Sequence, residues 1–143
     1  MSIRPLLLRT VLLVVAPAAG CEHAEALGPV TPEGPEPPTL ADVQSQIFDQ
    51  NCALSGCHLG PSAPLGLDLS AGQAYGNTVG VASREVPDLF RIEPGNADAS
   101  YLVHKIEGAP DIVGSRMPLG RAPLSADEIA FVREWIDAGA AEG

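Results

Sequence analysis

In the last third of the chain the apolar positions recur at helical spacing. Ile129, Val132, Trp135 and Ile136 fall on one stripe. Ser125 with Glu128 three residues later predicts a capping box at the start of that helix, Leu124 and Ile129 its hydrophobic staple, and Gly139 its left-handed stop. A first helix is predicted from Thr39, with Asp42 three residues on and Leu40, Val43 and Ile47 turned to a core, ending near Cys52. A shorter middle helix begins around Asn96 or Asp98, packs Leu102, Val103 and Ile106, and stops at Gly108. Between Leu59 and Gly95 no period of either kind is sustained, and Gly and Pro recur. A connection that long in a small domain predicts a functional wrap around something.

The N-terminal pattern is different in kind. Arg4 precedes an apolar stretch from Leu6 to Ala16, interrupted by Arg9, and Ala18-Ala19-Gly20 follow it. This predicts an export signal over residues 1–20, too short and interrupted to span a bilayer. The next residue is Cys21. Small-small-Gly-Cys resembles the lipobox of bacterial lipoproteins, with Ala18 where Leu is preferred, and the resemblance implies that Cys21 becomes an acylated N-terminus on a periplasm-facing membrane surface. The other reading of Cys21 is an oxidisable thiol. Residues 21–39 are acidic and carry Pro29, Pro32, Pro35, Pro37 and Pro38, which predicts an extended tether reaching on the order of 50 Å. The folded domain is then expected over 40–143, one domain by length.

Charge narrows the partners. The formal charge is −10, and removing the signal deletes Arg4 and Arg9 and no acid, which takes it to −12. That excludes nucleic acid as an expected partner and favours proteins with basic docking surfaces. The domain holds only six aromatics, Phe48, Tyr75, Phe90, Tyr101, Phe131 and Trp135. Its own core is thin, and a large apolar cofactor would fill the deficit.

The candidate chemistry lies in Cys52-Ala53-Leu54-Ser55-Gly56-Cys57-His58. Two thiols followed directly by histidine match a haem-attachment pattern, whose usual form is C-x-x-C-H. Two sulfurs must reach two vinyl groups along one porphyrin edge while the adjacent imidazole turns to the iron. Here four residues separate the thiols, and Ser55-Gly56 supplies the flexibility for a bulge. Met117, in Arg116-Met117-Pro118 just before the last helix, is the candidate sixth ligand, and a thioether there raises the reduction potential. Met117 is otherwise a gap-filling core side chain. His104 is an alternative sixth ligand. Two readings without haem stay open: a structural zinc site from Cys52, Cys57, His58 and His104, or a Cys52–Cys57 disulfide closing a tight loop. No Ser-His-Asp order, carboxylate pair beside a nucleophile or phosphate-cradling Gly loop is present, so no enzyme is expected. Arg84, Arg91, Lys105, Arg116 and Arg121 are the cations available to haem propionates.

The order of these features resembles a class I c-type cytochrome, and more closely the planctomycete-type bacterial cytochrome c domain. The attachment motif is followed by Gly66-Leu67-Asp68-Leu69, by Pro94-Gly95 before Ser100-Tyr101-Leu102, by Met117-Pro118, and by Leu124-Ser125 leading to Trp135-Ile136. The resemblance covers about Val43 to Ala140. It implies an all-α fold of about three helices with long loops around one covalent haem c. It implies that Cys52 and Cys57 carry the thioethers, that His58 is the proximal and Met117 the distal iron ligand, and that the activity is electron transfer. The four-residue spacer departs from the family's usual two.

Overall fold

The computed structural model describes Gly34 and residues 36–143. The expected signal over 1–20, Cys21 and most of the 21–39 tether lie outside the described residues. The described chain is all-α, with four helices and no extended strand among the described residues.

Helix α1 (Leu40–Val43) begins where the sequence places it. Thr39 Oγ1 accepts from the Asp42 N–H at 3.2 Å, and the Asp42 carboxylate accepts from the Thr39 N–H at 2.9 Å. The Thr39 hydroxyl, which donates to the same carboxylate at 2.6 Å, and then the Thr39 N–H hold the Asp42 carboxyl below its usual value. The helix then runs on without a break as a π-helical segment, Gln44–Cys52. Its wider turn, with bonds reaching five residues along, lets buried Gln44 donate to Asp49 Oδ1 at 2.6 Å and to the Leu69 carbonyl at 2.9 Å. Val43, Ile47 and Phe48 are buried in the core.

The region expected to lack helix contains one, α2 (Ala74–Thr78). Its Gly76 and Asn77 are weak helix formers, but Ala74 and Thr78, one turn apart, are both buried and share a hydroxyl-to-carbonyl bond of 2.7 Å. Tertiary burial overrides propensity here. The rest of the segment is turns, a 3₁₀ turn at Pro64–Gly66, and isolated bridges Val79 to Ile92, Ala82 to Phe90 and Phe90 to Ser100.

The middle helix is shorter than expected. Asn96 caps a 3₁₀ turn, Ala97–Ala99, and α3 (Tyr101–Glu107) follows, ending on Gly108 at φ 73° as the sequence implies. Helix α4 (Ala126–Asp137) has the Ser125–Glu128 capping box, with the Ser125 N–H on the Glu128 carboxylate at 2.7 Å and the return bond at 3.2 Å. Its Val132, Trp135 and Ile136 are fully buried, the two aliphatic side chains each worth roughly 1.5–3 kcal/mol. The α4 C-terminus clasps the turn before α3: the Gly95 N–H donates to the Ile136 carbonyl, and the Ala97 N–H to Asp137 Oδ1, both at 2.8 Å. Arg133 pairs with Asp98 and with Glu107. Helices α1, α3 and α4 thus enclose one apolar core, and the long loops close around a cavity beside it.

Candidate functional site

The cavity has a volume of about 440 Å³, inside the roughly 300–1,000 Å³ range of small-molecule pockets. The π-helical segment brings Ile47, Phe48 and Cys52 to its wall. Beyond Cys52 the chain turns back on itself: the Cys57 N–H donates to the Leu54 carbonyl at 2.9 Å, and the His58 N–H to the Cys52 carbonyl at 3.0 Å. Gly56 takes φ 80° inside this turn, a conformation that costs other residues a steric penalty. The four spacer residues are absorbed as a bulge, and Cys52, Cys57 and His58 all line the cavity.

His58 is held from its far side. Its Nδ1 lies 3.1 Å from the Leu67 carbonyl. A carbonyl only accepts, so in this bond Nδ1 carries the hydrogen and the lone pair is on Nε2. Burial lowers the His58 pKa, with Arg91 and Lys105 acting in the same direction, which keeps the ring neutral. The segment that presents Leu67 is itself tied down. The Leu69 N–H donates to the His58 carbonyl at 2.8 Å, and Asp68 Oδ1 accepts from the N–H groups of Gly60 and Ser70, each at 3.0 Å, and from Ser70 Oγ at 2.7 Å. Cys52 and Cys57 are free thiols. Burial, with Cys57 beside it, pushes the Cys52 thiol up to about 12, so it stays protonated at neutral pH.

Met117 reaches the same cavity from the loop between α3 and α4. The last carbonyls of a helix lack partners within it, and this loop supplies them. The Gly108 and Ala109 N–H groups donate to the His104 carbonyl at 2.9 and 3.0 Å, the Met117 N–H to the Lys105 carbonyl at 2.8 Å, and Arg116 Nε to the Ile106 carbonyl at 2.7 Å. The Arg116 side chain crosses so close to Gly108 that a Cβ there would lie 2.8 Å from its Cδ. Met117 is positioned by completing the end of α3.

The polar part of the wall is basic. Lys105, buried, donates to the Val113 carbonyl at 2.7 Å and pairs with Glu85 at 3.2 Å. Tyr101, whose phenol burial raises above its usual value, accepts from the Val113 N–H at 2.9 Å. Arg91 is buried and donates to the carbonyls of Leu65, Gly66 and Asn77.

The structure therefore brings Cys52, Cys57, His58 and Met117 to one cavity. It does not bring His104 there. That ring engages Asp111 at 3.0 Å and the Asp98 carbonyl at 2.7 Å, and it is absent from the cavity lining. Among the described residues no group of three or more His, Cys, Asp and Glu stands close enough to hold a metal ion, so the quartet Cys52, Cys57, His58 and His104 is not assembled. Glu85, part of no motif, lines the cavity, and so does Tyr101, to which the sequence assigned no place in the site. The one available signal was Tyr101 and Lys105 four residues apart, on one helix face.

Set against models of protein families, curated proteins and solved structures, the chain matches none.

Proposed function

We propose that this chain is a mono-haem c-type cytochrome that carries electrons, tethered through Cys21 to a periplasm-facing membrane surface, and that it is not an enzyme. The observation that carries the reading is the meeting of two thiols, a neutral histidine and one thioether at a single, mostly apolar cavity. Those residues fit a haem: Cys52 and Cys57 would hold it by thioether bonds, and His58 and Met117 would ligate its iron. Bound there, haem supplies an iron that takes up one electron and gives it back.

The chain's own residues do the rest. The Leu67 carbonyl fixes the His58 ring with Nε2 as its donor atom. Ile47, Phe48, Leu69, Ile106 and Val132 line the cavity with apolar side chains, and an apolar surrounding weakens the solvation of a charged centre. A thioether ligand favours the reduced state. With the His58 and Met117 backbones each held by hydrogen bonds, little has to move when the charge changes. The acidic surface, −10 over the whole chain, supports redox partners with basic docking surfaces rather than nucleic acid.

The test is haem staining after denaturing electrophoresis of protein expressed with export and haem-maturation machinery, followed by a reduced visible spectrum. A stained band and an iron–thioether absorption are expected, and Met117→Ala should lose that absorption and lower the potential. A colourless protein would overturn the reading, and an unchanged potential in Met117→Ala would remove Met117 from the ligand set.

A further inference from the structure

Five cations are associated with the cavity or its loops, and three are accounted for by their neighbours. Lys105 is neutralised by Glu85 at 3.2 Å. Arg116 completes α3 through the Ile106 carbonyl. Arg121 reaches the Gln50 carbonyl at 3.4 Å, at the thiol end, where its charge opposes the rise in the Cys52 pKa. Arg84 and Arg91 remain. Both line the cavity, and both converge on Gly66: Arg91 donates to its carbonyl at 3.2 Å, while the Arg84 guanidinium lies 3.2–3.4 Å from where a Gly66 Cβ would be. Among the described residues neither takes part in an ion pair.

Arg91 is 7 % exposed, and its three acceptors are all neutral carbonyls. A guanidinium carries five N–H groups, so about two remain for another partner. Burial, and to a lesser degree the Arg84 charge, lower its pKa. A buried, unmatched charge beside a second cation is costly and is kept where a partner anion completes it. Guanidinium pairs match carboxylates in geometry as well as charge.

We propose that Arg84 and Arg91 form a carboxylate cradle in the cavity wall, and that it takes the acid side chains of the tetrapyrrole. Arg91 is the fixed member, held by the carbonyls of Leu65, Gly66 and Asn77. Arg84, exposed and lying over Gly66, is the member that closes on the carboxylate. The cradle would hold the acid side chains at Arg84 and Arg91, and Cys52 and Cys57 would be left to form the thioethers. This inference rests on the haem reading, and the experiment separates the two.

The full chain with reduced thiols is titrated with ferric protoporphyrin IX and with its dimethyl ester, which lacks the carboxylates, and each affinity is read from the visible absorbance. The diacid should bind about tenfold more tightly, as expected for one charge-assisted contact. Arg84→Gln should remove most of that preference, and Arg121→Gln should leave it intact. Arg91→Gln should also remove it, with circular dichroism to check the fold because Arg91 ties the Leu65 and Gly66 carbonyls to the Asn77 carbonyl of α2; among the described residues Arg84 carries no such bonds. Equal binding of diacid and ester by the unaltered chain overturns the cradle and leaves the haem reading standing. So does a preference that survives Arg84→Gln, or one that is lost in Arg121→Gln. If neither porphyrin binds and the exported protein is colourless, the haem reading falls and takes the cradle with it.

Discussion

The segment from Cys52 to Ser70 and the segment from Gly108 to Arg121 both deliver ligand-type side chains to the cavity, but they are built differently. The first is knitted largely to itself: His58 to Cys52, Leu69 to His58, His58 Nδ1 to Leu67, and Asp68 to Gly60 and Ser70, with Gln44 and Arg91 bonding its carbonyls at Leu65, Gly66 and Leu69 from outside. It is backed by the buried Phe48 of the π-helical segment. The second borrows its order. Its ties run mainly outward, to the C-terminal carbonyls of α3, to Tyr101 and to Lys105. A self-bonded segment keeps its geometry when a neighbour shifts. A borrowed one follows its neighbour. The histidine side thus supplies more of its own order, and the methionine side takes more of its order from α3.

The sharpest way to break that contrast is to remove what backs the histidine side. Phe48→Ala should cost about 3–5 kcal/mol in urea unfolding, the usual range for a large aromatic lost from a packed core. A cost under about 1 kcal/mol would mean that the Cys52 wall does not depend on the core at all.

Gly108→Ala should come next. The substitution forces a left-handed φ on a residue with a Cβ and drives that Cβ into Arg116. It should cost about 1–2 kcal/mol, with backbone amide shifts concentrated over 109–121 and spreading to Met117. Equal shifts at His58 would erase the distinction between the two segments.

The smallest effect sharpens the contrast through pH. Hydrogen bonds from Ser70, side chain first and then backbone, hold the Asp68 carboxyl below its ordinary value of 3.8. The unfolded chain therefore takes up the proton first as pH falls. The stabilisation is fully present above that ordinary value and is lost as pH drops through the lower folded one. Thermal unfolding followed from pH 6 down to about pH 3 should show a decline that is shallower in Asp68→Asn. Parallel curves would show that Asp68 does not secure the His58 segment.

Much of this architecture can be read from local residue patterns. Thr39 with Asp42, Ser125 with Glu128, and Gly108 mark helix ends because capping is decided by residues three apart or by one backbone conformation. The cavity's thiols, imidazole and thioether were legible too, since their residue types carry the chemistry. What stayed hidden depends on distant partners. The π-helical turn is supported by Gln44 reaching Leu69, 25 residues away. Helix α2 exists because Ala74 and Thr78 are buried, not because its residues favour helix. Arg91 was one of five equivalent cations until the loop at Leu65 and Gly66 folded onto it, about as far along the chain.

The turn between the two thiols has one further consequence. Because the His58 N–H bonds to the Cys52 carbonyl, the chain leaves the bulge where it entered it. The number of residues between the cysteines and the distance between them are therefore separate quantities. Leu54, Ser55 and Gly56 form a replaceable cassette. Its length and composition can be redesigned while both anchors stay in register, provided a glycine stays where the chain takes the left-handed turn.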